Sequence, residues 1–108
     1  MALTRDFRET IRERAQREPE FRRALLLEGL QLITDGDLAT GRSILRNYIN
    51  ATIGFAELAR RTRISSPSLQ RMFGPDGNPT AENLFGVIGV LQAETGVHLK
   101  VRVVADAA

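Results

Sequence analysis

Apolar positions recur every three or four residues through most of the chain, a spacing that predicts helices rather than strands. Over about residues 4–18, Leu3, Phe7, Ile11 and Ala15 stand four apart, a thin apolar stripe on an otherwise charged helix. A helix this polar needs a surface to lie on, and the pattern leaves two: the body of the chain or a second subunit. Pro19 suits a first helical turn. The helix it opens carries Phe21, Ala24, Leu25, Leu26, Leu27, Leu30, Leu32 and Ile33. Apolar on nearly every side, it is expected to be central and buried. Asp35-Gly36 ends it, and Asp37 suits the N-cap of the next helix. There Leu38, Leu45, Tyr48 and Ile49 repeat at helical spacing, with Ile44 beside them, and Gly54 closes the run.

Two short helices follow, at 55–62 and about 66–73, separated by three residues. A longer one runs from about Ala81 to Glu94, with Thr80 as N-cap and Leu84, Val87, Ile88 and Leu91 inward. Gly86 and Gly89 lie inside it at about 1 kcal/mol each against alanine, which predicts a close helix approach there. The period then changes: Val97, Leu99, Val101 and Val103 alternate with polar residues, a strand pattern. Nothing else in the chain reads as a strand to pair with it. An unpaired strand wants a partner chain, and the simplest is the same strand of a second copy, antiparallel across a two-fold axis. A disordered tail is the competing reading.

The 108 residues make one domain, and 43% hydrophobic with 26% charged residues supports a real core. No apolar run approaches the ~18–20 residues of a membrane span. The amino end lacks a hydrophobic signal core, so export is not expected. The absence of cysteine excludes a disulfide scaffold, a thiolate zinc site and a cysteine nucleophile, and fits a reducing cytoplasm. Fifteen basic against thirteen acidic residues name no partner. Between Arg60 and Gly74, however, Arg60, Arg61, Arg63 and Arg71 stand without a carboxylate. Such a patch meets a polyanion or is simply a solvated face, and charge alone favours the latter.

The segment Phe55-Ala-Glu-Leu-Ala-Arg-Arg-Thr-Arg-Ile-Ser-Ser-Pro-Ser-Leu-Gln-Arg-Met-Phe73 reads as helix, turn, helix. Leu58, Ala59, Ile64, Leu69, Met72 and Phe73 form one apolar set. Small Ala59 lets the helices cross closely, Ile64 plugs the crossing, and Ser65 can cap the second helix with Pro67 in its first turn. Helix pairs of this kind also serve purely structural roles.

On Leu58-Ala59, Ile64-Ser65, Leu69 and Gly77-Asn78-Pro79-Thr80, the chain resembles the Cro-like helix-turn-helix family over about residues 54–95. With Leu26, Glu28, Gly36-Asp37 and Leu45 added, most of residues 20–103 resembles the HigA-type addiction-module antidote proteins, antitoxins that repress their own operon. One departure stands out: the family's usual turn glycine is Arg63 here. A left-handed conformation costs an arginine roughly 1 kcal/mol, which predicts a reshaped turn. The expected fold is mainly α: a bundle of five to six helices containing a helix-turn-helix at 55–73, with a short C-terminal β-strand paired across a dimer. Its divisions are a charged N-terminal helix (1–18), a helical domain (19–96) and the strand (97–104).

The chemistry expected of the second helix follows from a 100° step. With Leu69, Met72 and Phe73 inward, Pro67 and Arg71 face outward, flanked by Ser68 and Gln70, with Ser66 at the helix start. Arg71 is suited to guanine O6/N7 and Gln70 to adenine N6/N7. Ser65, Arg60 and Arg61 are expected at phosphates; the family resemblance implies the same of Asn78 and Thr80. The partners expected are double-stranded DNA, a second copy through Val97, Leu99, Val101 and Val103, and, from the antitoxin resemblance, a cognate toxin. The rival is a protein-interaction module in which the helix pair is structural and the N-terminal helix or tail binds a partner. No enzyme, cofactor or metal is expected. His98, the sole histidine, has no catalytic serine placed beside it. The Asp35-Gly36-Asp37 and Asp76-Gly77-Asn78 runs lack the ligand alternation and terminal glutamate of a calcium loop.

Overall fold

The computed structural model describes residues 5–107 and contains six helices. They are α1 (Arg5–Arg17), α2 (Pro19–Thr34), α3 (Leu38–Ala51), α4 (Phe55–Thr62), α5 (Ser66–Met72) and α6 (Ala81–Thr95). Local chemistry explains the boundaries. Pro19 opens α2 at a position whose missing N–H costs nothing. Asp37, Ser65 and Thr80 cap α3, α5 and α6, each accepting the backbone N–H three residues on.

The core is built from Leu26, Leu45, Tyr48, Ile49, Phe55, Leu58, Leu69, Phe73, Val87 and Leu91. Helix α3 gives it more side chains than any other element, and α2 does not hold the centre expected of it. Only Leu26 and Gly29 of α2 are buried, while Ala24 and Leu27 face solvent. α2 instead lies flat on α3, its closest neighbour. Gly41 permits this. A Cβ there would stand 2.6 Å from Ile33 Cγ1 and 2.9 Å from the Gly29 carbonyl oxygen, so the two backbones nearly touch.

Of the two surfaces open to α1, it takes the body, packing on α2 and α3. Ala15 is buried and Ile11 half-buried, whereas Leu3 lies outside the described residues. Arg22 donates to the Ala15 and Gln16 carbonyls at 2.8 and 3.3 Å. It thereby satisfies orphan acceptors at the end of α1. Arg14 stacks over Phe21, 4.2 Å from the ring centroid.

Of two expectations about the C-terminal third, the close approach at Gly86 and Gly89 is corrected, and the strand does not form within the single chain. Nothing lies within 4 Å of a Cβ placed on Gly86 or Gly89, and both are exposed. The close approach occurs at Gly41, not in α6. No strand forms at 97–104 or elsewhere among the described residues. Gly96 ends α6 in the left-handed region, and the chain turns back. Val97 N–H then donates to the Gln92 carbonyl at 3.2 Å, and Leu99 N–H to Gln92 Oε1 at 2.8 Å. These donors go to α6, and within one chain there is no second strand to receive the rest. Val97 and Leu99 are half-buried, but Val101 and Val103 are 98% and 94% exposed.

Candidate nucleic-acid interface

Helices α4 and α5 are joined by the three residues Arg63, Ile64 and Ser65. Leu58 and Leu69 are fully buried, Phe73 nearly so, and Ala59, Ile64 and Met72 pack against them. The turn is not reshaped. Arg63 occupies the left-handed region at φ 62°, ψ 23°, and its N–H donates to the Ala59 carbonyl at 2.9 Å. Buried Leu58 and Leu69 on either side over-determine the turn, so packing holds an arginine where local preference favours glycine.

Pro67, Gln70 and Arg71 of α5 are exposed, with Ser66 and Ser68 half-buried. Gln70 Nε2 donates to Ser66 Oγ at 3.2 Å, and Arg71 Nη2 donates to Ser68 Oγ at 3.1 Å. Both long side chains thus fold back along their own helix. Such exposed hydrogen bonds contribute only about 1 kcal/mol. Ser65 donates to Ser68 Oγ at 2.8 Å, so its hydroxyl serves the cap. Thr80 likewise caps α6; Asn78 is exposed in the loop before it.

The carboxylate-free run of sequence is not carboxylate-free in space. Arg60 is held by Glu57 one turn back, its Nε donating to Glu57 Oε2 at 2.8 Å. Arg61 forms an ion pair with Glu94 of α6. The hydrogen bond from Arg60 holds the Glu57 carboxyl below the usual carboxylate range and pushes Arg60 up. Of the four basic residues, only Arg63 and Arg71 make no ion pair among the described residues.

The exposed side of α5 looks onto α3 across an open cleft of about 1220 Å³. Ser43, Arg46 and Asn47 of α3 line one wall, Gln70 and Arg71 the other, and Arg8 of α1 also contributes. Arg46 Nη1 donates to the Gln70 carbonyl at 3.0 Å, tying α3 to the C-terminal end of α5. Arg42 Nη2 reaches the Pro75 carbonyl at 3.4 Å. Past that point, Gly77 lies so close to the Met72 carbonyl, 2.1 Å from a built Cβ, that only glycine fits. Sequence reasoning missed this wall. Its signal is the polar row Thr40, Ser43, Asn47 and Asn50, at helical spacing along one face of α3.

No family model, curated protein or solved structure matches the chain. Among the described residues no group of three or more histidine, cysteine, aspartate or glutamate side chains is placed to hold a metal ion. No helix of the described residues is long and apolar enough to cross a membrane.

Proposed function

We propose that the chain is a sequence-specific DNA-binding regulator of transcription, an antitoxin-like repressor of its own operon, working in the cytoplasm as a homodimer and without enzymatic activity. The observation that carries this reading is the uncovered polar flank of α5. Pro67, Gln70 and Arg71 face solvent while Leu69 and Phe73 lock the helix to the core. A short helix anchored on one side and bare on the other suits insertion into a major groove. Gln70 and Arg71 read bases there, with Ser66, Pro67 and Ser68 along the contact, and Ser65, Arg60, Arg61, Asn78 and Thr80 lie towards phosphates. Arg60 and Arg61 must first give up Glu57 and Glu94.

Two copies pair through their tails. Val101 and Val103 carry unshared apolar surface and the backbone beyond Leu99 is free of α6, so an antiparallel ribbon across a two-fold axis satisfies both. Val97 and Leu99 steady its base. Half-sites then lie about 34 Å apart.

Selection from random duplexes, followed by band shifts, tests the reading. Arg71→Ala relaxes base choice by about 1–3 kcal/mol at one position. Arg60→Ala weakens binding to all sequences alike. Identical behaviour of the two variants refutes the assigned roles. A second reading, favoured by Phe85 at 67% exposure together with the bare valines, is a protein-interaction module whose partner is a toxin or another protein. No retention on random duplex at low salt favours that alternative.

A further inference from the structure

We propose that the cleft between α3 and α5, with Arg8 of α1 on its rim, binds the phosphodiester backbone of one DNA strand. This rests on α5 being the element that enters the major groove. A helix in that groove lies between two phosphate strands, so both of its flanks need counter-charge. The two flanks are unequal here. On the α4 side, Arg60 and Arg61 are already neutralised by Glu57 and Glu94. On the α3 side, Arg8 and Arg46 line the cleft without an ion pair among the described residues, while Arg71 on the facing wall is kept for the bases. Arg46 gives one N–H to the Gln70 carbonyl and keeps others to donate. Ser43 and Asn47 add neutral donors on the same wall, and Asp76 is the one carboxylate lining the cleft. Helix α1 thereby becomes part of the DNA footprint.

The measurement is fluorescence anisotropy on a labelled mixed-sequence DNA duplex of about two helical turns, titrated from about 50 to 200 mM salt. Arg8→Ala lowers the slope of log affinity against log salt by about 0.9 and weakens binding about eightfold near 0.1 M. The loss is the same on every sequence. Arg8→Lys retains the slope. Ser43→Glu, on a different helix, weakens binding as well, and circular dichroism confirms that each variant keeps its helices. An unchanged slope for Arg8→Ala, or unchanged affinity for Ser43→Glu, overturns this proposal and leaves α5 as the reading element. No salt-dependent binding by the unaltered chain overturns both. Equal binding of an RNA duplex overturns the assignment to DNA, because the A-form major groove is too narrow for α5.

Discussion

Replacing Arg63 by glycine should make the protein more stable, although it removes a side chain and adds none. Arg63 stands at φ 62°, where an L-residue is strained by roughly 1–2 kcal/mol. Its side chain is exposed and makes no ion pair among the described residues, so truncation forfeits little. The helix-ending bond from its N–H to the Ala59 carbonyl survives in glycine. Part of the relief is returned because glycine enlarges the freedom of the unfolded chain, leaving a net gain of about 0.5–1 kcal/mol. At about 2 cal/mol/K per residue, the 108 residues turn this into a rise in Tm of about 2–4 °C. Thermal melts followed by circular dichroism measure it. Arg63→Ala is the control, since it removes the same charge but keeps the strained backbone, and its Tm should stay near that of the parent. A glycine variant melting at or below the parent, or an alanine variant rising equally, refutes the strain argument.

Gly41→Ala forces a Cβ against the Gly29 carbonyl and Ile33 and should cost about 1–3 kcal/mol, lowering Tm in the same melt. Gly86→Ala places its methyl in open space and should gain about 1 kcal/mol. The opposite signs test whether packing, rather than residue type, decides what each glycine does. Glu57 is held below the usual carboxylate range by Arg60, so its share of stability is present above pH ~4.3 and lost as the pH falls through its lower folded value. Glu57→Gln should therefore flatten the acid side of the Tm-against-pH curve. The same variant frees Arg60 and should strengthen DNA binding and steepen its salt dependence; weaker binding would count against a phosphate role for Arg60.

The helices and their starts were legible because their signals are local. Pro19, Asp37, Ser65 and Thr80 each act within one turn of where they stand. The apolar set of α4 and α5 was legible too, since its members lie within 20 residues of one another. What escaped depends on which surfaces meet. Leu27 looks like a core residue, yet α3 takes the central place and leaves it exposed. The alternation at 97–100 was real, with Val97 and Leu99 half-buried and His98 and Lys100 exposed. Docking on the end of α6 produces that alternation without a ladder. Glycine has no side chain to announce its neighbours, so Gly41 and Gly86 are alike until the fold separates them. The basic run seemed bare because Glu57 stands just before it, one turn from Arg60, and because Glu94, 33 residues from Arg61 in the chain, meets it only in space.

Gln92 turns the C-terminus into a tether of fixed origin. Because its side chain grips the amide of Leu99, the eight described residues beyond, Lys100 to Ala107, reach no more than about 28 Å from that point. If two tails cross symmetrically over Val101–Val104, the strand rise of about 3.3 Å per residue puts the two Leu99 anchors about 23 Å apart along the ribbon. One glutamine would then act as a ruler, setting how far apart two bodies can stand while still joined hand to hand.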